Sequence, residues 1–340
     1  MKVTINDVAK KAEVSVATVS RVLNNNYPVN VVTRARVNKV IKDMQFIPNM
    51  QAQEIKHRKS KTIGIIVPSV DNMFFPEVIN GVEDYLVKHD YSLLLCFSKN
   101  SKEREKANVR NLLSRNVAGI IIADADLTNV ENHFYDEFVK NTPITFINGN
   151  PSHEQFSHVL CDEEEGANQA LQALWNHGHR HIYFIRGINS HSYDVKENAY
   201  RTFMKQHNVE CDGNVIYVGE GNSSKVIDVT RSIMVTRLLK DKNTAAFCCN
   251  DLMALGVIDA CKELAMDVPK DFSIIGFDNI ILSKFVQPKL TTVDQNMVQL
   301  GLNAASLIVE NIEAGKKLNK TIVLNPKLVI RETLGENSNK

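Results

Sequence analysis

Apolar positions in the first 47 residues recur at helical spacing, and beyond residue 62 they gather into short continuous runs. Ile5, Val8, Ala9 and Ala12 fall three or four apart and predict a first helix. Thr4 precedes it as an N-cap, with Asp7 completing a capping-box-like pair. Glu13-Val14 makes a turn, and Ser15 caps a second helix, "SVATVSRVL", with an apolar face at Val16, Val19, Val22 and Leu23. "NNNYPVN" breaks the chain. Asn30 then caps a third helix over 31–44, with Val32, Ala35, Val37, Val40, Ile41 and Met44 available for packing. Three short helices with a tight turn between the first two predict a helix-turn-helix module over 1–47.

From Thr62 the pattern changes. "TIGIIVP", "YSLLLCF", "VAGIIIA", "PITFIN", "SHVLCD", "HIYFIRG", "NVIYVG", "AAFCCN" and "FSIIGFD" are near-continuous apolar runs, and amphipathic or polar-faced stretches such as "FFPEVINGVEDYLVKH" separate them. Such alternation predicts parallel strands covered by helices on both faces. Some 270 residues of it exceed one sheet. The expected fold is therefore multidomain: an all-α head and an α/β core of two doubly wound subdomains. Ligands would sit between these at the strand C-terminal ends. Between head and core, "KHRKSK" lacks apolar residues and reads as a linker, so 48–61 is a separate segment.

Charge sharpens the division. The net charge is only +1, but residues 1–60 hold eleven Lys/Arg against four Asp/Glu, and the remainder is acidic. A basic head on an acidic body points to a polyanionic partner for the head. The six cysteines include no C-x-x-C pair and read as free thiols. No apolar leader and no membrane-length run is present, which predicts a cytoplasmic protein without membrane contact. "HGHRH" sets His177, His179 and His181 in a loop entering a strand, without metal-ligand spacing. "GEGNSS" is not a dinucleotide fingerprint, and neither G-x-S-x-G nor a Walker A motif occurs. No enzyme, metal or cofactor is expected.

"TINDVAKKAEVSVATVSRVLN" followed by "TRARVNKVIKDMQFIPN" closely resembles the head of the lactose/galactose repressor (LacI/GalR) family of bacterial transcription regulators. The resemblance implies that the second helix enters the DNA major groove and that Val16 and Ala17 read bases. Both are apolar and suit thymine methyls, while Arg21 suits guanine O6/N7. Thr18, Ser20, Asn24 and Thr33 suit phosphate oxygens, and Thr4 and Ser15 at the helix starts are grouped with them. In the family the 48–61 segment folds on operator DNA and wedges a leucine into the minor groove. Here Asn49 would cap that helix, Ala52 matches the small residue, and Ile55 stands at the leucine position. In the family a Val-Ala pair at these positions goes with operators having a central C-G step, so the resemblance implies a pseudo-palindromic operator of that kind here.

"IGIIVPSVDNMFFPEVINGVED", "NDLMALGVIDA", "VPKDFSIIGFDN" and "PKLTTVDQNMVQLG" extend the resemblance through the core, implying a periplasmic-binding-protein-like pair of lobes. Lobe one is then 62–161 with 291–320, lobe two 162–290 with 321–333, and 334–340 a tail. The implied effector pocket contains Phe74, Phe75, Asn148, Lys196, Asn250 and Asp278. Asn148 and Lys196 depart from the family's usual Asp and Arg, and Lys cannot form a bidentate fork. Rings against carboxylates and amides suit a sugar-like effector. The expectation is a homodimeric regulator, most simply a repressor of carbohydrate-utilisation genes, with no leucine heptad tail for tetramers. The alternatives are catabolite control through a phosphorylated carrier protein and a sugar-binding protein without gene control. The carrier's docking needs an arginine where Gln287 stands, and the head argues against the sugar-binding protein.

Overall fold

The computed structural model describes residues 3–24, 27–47, 60–149, 155–239, 244–315 and 318–337. The chain forms two compact units, Met1–Ser60 and Lys61–Lys340.

The first unit holds α1 (Ile5–Lys11), α2 (Val16–Asn24) and α3 (Val31–Asp43). Thr4 and Asp7 form the capping box: Thr4 Oγ1 accepts from the Asp7 amide at 3.4 Å, and Asp7 Oδ2 accepts from the Thr4 amide at 2.9 Å. Glu13 adopts φ 52° in the turn that redirects the chain into α2. Asn30 caps α3 by accepting from the Val32 amide at 2.9 Å. Val8, Ala9, Ala12, Val19, Val22, Val37, Val40 and Phe46 make the core. Two packing expectations fail. Val32 is 76% exposed and Ala35 is exposed as well. The buried stripe of α3 runs back from Val40 and Val37 to the half-buried Arg34 and Thr33, and Val32 and Ala35 lie off it. Val16 is also exposed, because it begins α2 beyond the edge of this small core.

The second unit has two six-stranded sheets. In chain order, β1 (Thr62–Val67), β2 (Ser92–Phe97), β3 (Gly119–Ala123), β4 (Ile144–Ile147) and β5 (Ser157–Cys161) belong to the first. β6 (Ile182–Arg186), β7 (Val215–Tyr217), β8 (Ala245–Cys248), β9 (Ser273–Asp278) and β10 (Thr291–Asp294) belong to the second. β11 (Thr321–Leu324) returns to the first sheet and β12 (Lys327–Val329) to the second. The spatial orders are β11-β5-β4-β3-β1-β2 and β12-β10-β9-β8-β6-β7. All pairings are parallel except β10 with β12. Central strands are apolar on both faces because helices cover both.

The helices of this unit are α4 (Phe74–Lys88), α5 (Lys102–Ser114), α6 (Leu127–Glu131), α7 (Glu163–Asn176), α8 (His191–Gln206), α9 (Val226–Leu238), α10 (Asp251–Glu263) and α11 (Met297–Ala314). α4 and α11 meet at paired glycines. A Cβ on Gly81 would lie 2.0 Å from the Val298 carbonyl oxygen, and one on Gly301 2.1 Å from that of Val78. Only glycine allows the two backbones to cross this closely.

Strand pairing moves two lobe boundaries. The sequence placed 291–320 in lobe one, but Thr291–Asp294 pairs in register with Ile275–Asp278 of the second sheet. The chain crosses only at Gln295-Asn296, where Asn296 takes a left-handed conformation before α11. Likewise, Thr321–Leu324 pairs with His158–Cys161 of the first sheet, so the last crossing falls at Asn325-Pro326 and not before Thr321. Which sheet each segment joins depends on long-range pairing.

Candidate functional site

The head presents one face of α2. Ser15 Oγ accepts from the Thr18 amide at 3.1 Å and lies 2.9 Å from Thr18 Oγ1, closing the first turn. Val19 and Val22 anchor the helix in the core. Val16, Ala17 and Arg21 lie on the exposed side. The Arg21 guanidinium sits 5.5 Å from the centre of the Tyr27 ring, which is itself 64% exposed. Asn24 donates to Ser20 Oγ at 3.2 Å, and Thr18, Ser20, Asn24 and Thr33 are half-buried. Asn49, Ala52 and Ile55 lie outside the described residues.

In the core unit, polar side chains converge where strands end. Asp124 follows β3, Asn148 follows β4, and Glu163 opens α7 just after β5. From the second lobe come Ser190 and Lys196 after β6, Cys249 and Asn250 after β8, and Asp278 at the end of β9. They line one cleft together with Phe74 and Phe75. The strand C-terminal ends are where open α/β sheets place ligands. Asp124, Asn148 and Asp278 have φ of 52°, 55° and 111°, a region Asp and Asn tolerate better than other side chains.

Hydrogen bonds close this cleft. Asp124 Oδ1 accepts from Ser190 Oγ at 2.9 Å and its Oδ2 from Asn222 Nδ2 at 3.0 Å, both across the lobes. Ser69 Oγ donates to the Asn222 carbonyl at 3.2 Å. At the crossover, Gln295 Nε2 donates to Asp278 Oδ1 at 2.6 Å, and Gln295 Oε1 accepts from Asn148 Nδ2 at 3.5 Å. The free volume is about 30 Å³, room for a water or two. Ligand pockets are roughly tenfold larger, so the lobes must part to admit one.

Three of the anticipated pocket residues have further duties. Lys196 is buried, 3.0 Å from Glu163 Oε1 and 2.6 Å from Ser192 Oγ, with its ammonium 4.1 Å from the Phe277 ring centre. Burial pulls its pKa down, but Glu163, Cys249 and Asp278 together outweigh that and leave it raised. Asn250 caps α10 through the Met253 amide at 2.9 Å and donates to the Gly221 carbonyl at 3.0 Å. Both ends of its amide thus shape the cleft wall. Asn148 Oδ1 accepts from the Cys161 amide at 3.1 Å, joining β4 to β5. Phe74 and Phe75 pack edge to face with ring centres 5.2 Å apart, and both are buried. Burial pushes the Asp278 carboxyl up to about 7 and also raises that of Asp124.

Sequence reading missed Asp124, Glu163, Ser190 and Asn222. The available signal was position: Asp124 ends "VAGIIIAD" as Asp278 ends "FSIIGFD". The histidine run does not converge. His179 Nδ1 lies 2.9 Å from Thr244 Oγ1 and its Nε2 3.0 Å from the Gly335 carbonyl, so the ring ties a strand entrance to the chain end. Among the described residues no cluster of His, Cys, Asp or Glu could hold a metal ion, and no helix is long and apolar enough to cross a membrane.

A three-helix head with an exposed reading face, and a two-lobed core closing on a polar cleft, define a ligand-responsive DNA-binding regulator. Comparison with known proteins narrows the class. Residues 4–49 match the model of bacterial regulatory proteins of the lacI family, and residues 171–334 match a periplasmic binding protein-like domain. The HTH-type transcriptional repressor PurR of Vibrio atlanticus (strain LGP32) is 31% identical over 97% of this chain and 98% of its own length. Catabolite control protein A of Priestia megaterium is 33% identical over 91% and 92%. The lac repressor dimer bound to operator and the anti-inducer ONPF superposes with a TM-score of 0.88 at 25% identity, covering 98% of this chain and all of that one. This chain belongs to the lacI family of bacterial regulatory proteins. It is a DNA-binding transcriptional regulator controlled by an effector, and two of the relatives named, PurR and the lac repressor, are repressors.

Proposed function

We propose that the chain acts as a homodimeric repressor on a pseudo-palindromic operator with a central C-G step, and that a sugar-like effector in the interlobe cleft controls it. Val16, Ala17 and Arg21 read bases. Thr18, Ser20, Asn24 and Thr33 meet phosphates, with Thr4 and Ser15 holding the helix starts. The 48–61 segment, with Asn49, Ala52 and Ile55, supplies the minor-groove element. The observation that carries this reading is the division of α2: Val19 and Val22 fix one side in the core, while Val16, Ala17 and Arg21 face outward on a basic head. For the dimer, Ile281, Leu282 and Phe285 form an exposed apolar group on the core, with Phe285 73% exposed.

In the cleft, Phe74 and Phe75 would cover the C–H face of a sugar, while Asp124, Asp278 and Asn148 would accept from or donate to its hydroxyls. The regulation needs only a difference in affinity between two lobe angles, typically 1–3 kcal/mol. The test has two parts. Operator selection from random duplexes should return a symmetric site, bound with a steep inverse salt dependence. Thermal shift against a sugar panel should find a stabilising ligand that also changes operator affinity; a ligand at 100 times its Kd adds about 2.7 kcal/mol. Asymmetric or absent enrichment overturns the operator reading, and a panel without a hit overturns the sugar reading. The second reading, a phosphorylated carrier protein as corepressor, has the 33% identity to a catabolite control protein in its favour. The exposed Gln287, in place of an arginine, stands against it.

A further inference from the structure

The charges lining the cleft do not balance. Its walls carry three carboxylates, Asp124, Glu163 and Asp278, and one cation, Lys196. Lys196 is engaged by Glu163 at 3.0 Å. Asp124 has only neutral donors, Ser190 and Asn222. Asp278 has Gln295 on one oxygen, and among the described residues its other oxygen has no donor. Asp278 is 4% exposed and faces the cleft. The other titratable groups there, Tyr193 and Cys249, add no positive charge. Burial raises the Tyr193 pKa well above its ordinary value and pushes the Cys249 thiol up to about 12. One ammonium therefore serves three carboxyl groups, and Asp124 and Asp278 are left without a cationic partner in a space that closes to about 30 Å³.

Buried carboxylates without a counter-charge cost several kcal/mol each unless they take up a proton or gain a cation. Within the effector-site reading, on which this inference rests, we propose that the cleft selects a cationic effector: a small polyhydroxy molecule bearing a protonated amine, of the amino-sugar class. The ammonium takes the place opposite Asp278 and Asp124 that no cationic side chain among the described residues fills. Hydroxyls meet Ser190, Asn222 and Asn148. Phe74 and Phe75 present aromatic rings to the carbon skeleton, and a ring face also attracts a cation. A phosphorylated or carboxylated ligand would set its negative charge beside carboxyl groups that already lack a cationic partner, so the same arrangement disfavours anionic ligands.

The experiment is calorimetric titration of the full chain at neutral pH with matched probes: D-glucosamine against D-glucose and N-acetyl-D-glucosamine, the same three in the galacto series, and putrescine as a cation without hydroxyls. The expected result is that one free-amine sugar binds on the order of tenfold or more tighter than its neutral counterparts. Asp278→Asn and Asp124→Asn should each shrink that ratio. A neutral sugar binding as tightly as its amine overturns the charge inference and leaves the sugar cleft standing. Putrescine binding with no sugar bound overturns the polyhydroxy part. No binding by any probe overturns both. The wild-type ratio needs no variant, so a misfolded substitution cannot rescue the proposal.

Discussion

Asp124 and Ser190 belong to different lobes, and the 2.9 Å hydrogen bond from Ser190 Oγ to Asp124 Oδ1 ties them across the cleft. Asn222 grips the other oxygen of the same carboxylate at 3.0 Å, so one side chain of lobe one holds two points of lobe two. Asp124→Ala removes both contacts. Such hydrogen bonds contribute about 0.5–1.5 kcal/mol each, and losing two is enough to change which lobe angle predominates. Small-angle scattering of the variant should show a larger radius of gyration than the wild type, and an unchanged profile would mean that Asp124 is no latch.

The carboxyl of Asp278 gives a pH signature. Burial pushes it up to about 7 from an ordinary value of 3.8. Below the lower value both folded and unfolded chains hold the proton, and the group adds no pH dependence. Between the two values the folded chain holds a proton the unfolded chain has lost. Stability then falls with rising pH, by up to about 1.4 kcal/mol per unit from this one group, and levels off above the folded value. Asp278→Asn lacks this loss, so its melting temperature should decline less than that of the wild type from about pH 5 to about pH 7.5. Parallel melting curves in scanning calorimetry would refute the assignment.

On the head, Arg21→Ala should weaken specific operator binding by about 1–3 kcal/mol if its fork meets a guanine, with a much smaller effect on random DNA. Ala17→Arg should change the preferred operator sequence while the core melts as before. Fluorescence anisotropy on selected and scrambled duplexes separates the two effects. Equal loss on both DNAs for Arg21→Ala would reduce the residue to a phosphate contact.

The helix crossing supplies a stability test remote from both sites. Gly301→Val places a side chain where the Val78 carbonyl oxygen already lies 2.1 Å from a bare Cβ. Forcing α4 and α11 apart should cost at least about 1–3 kcal/mol in chemical denaturation. Gly213→Ala is the control, since an added Cβ there meets nothing within 4 Å and should leave stability nearly unchanged.

Local signals explain what was readable beforehand. Thr4 with Asp7, Asn30 before α3, and the apolar runs that became β1, β3, β8 and β9 are set by short-range chemistry, and each was visible as such. The sheet that Thr291–Asp294 and Thr321–Leu324 each join was not readable in this way, because partners 16 and 163 residues away decide it. The cleft divides in the same way. Phe74, Phe75, Asn148, Lys196, Asn250 and Asp278 all line it. Their duties were not legible: nothing local to Lys196 tells that Glu163 will stand 3.0 Å away, and nothing local to Asp124 points to Ser190 and Asn222. Val32 was misassigned to the head core because a single valine near a helix start fits either face until the stripe is anchored elsewhere.

Three strands of chain join the two lobes: one entering α7 at Asp162, one at Gln295-Asn296 and one at Asn325-Pro326. A single tether would let one lobe swing, slide and twist freely against the other. Three crossings, like several pins in one door, restrict that freedom and couple the lobes at three points of the chain. Gln295 lies within one of these pins while its side chain holds Asp278 and meets Asn148. Whatever pulls on Asp278 therefore pulls directly on the pivot, and a chemical event inside the cleft is converted to an angle with little lost motion.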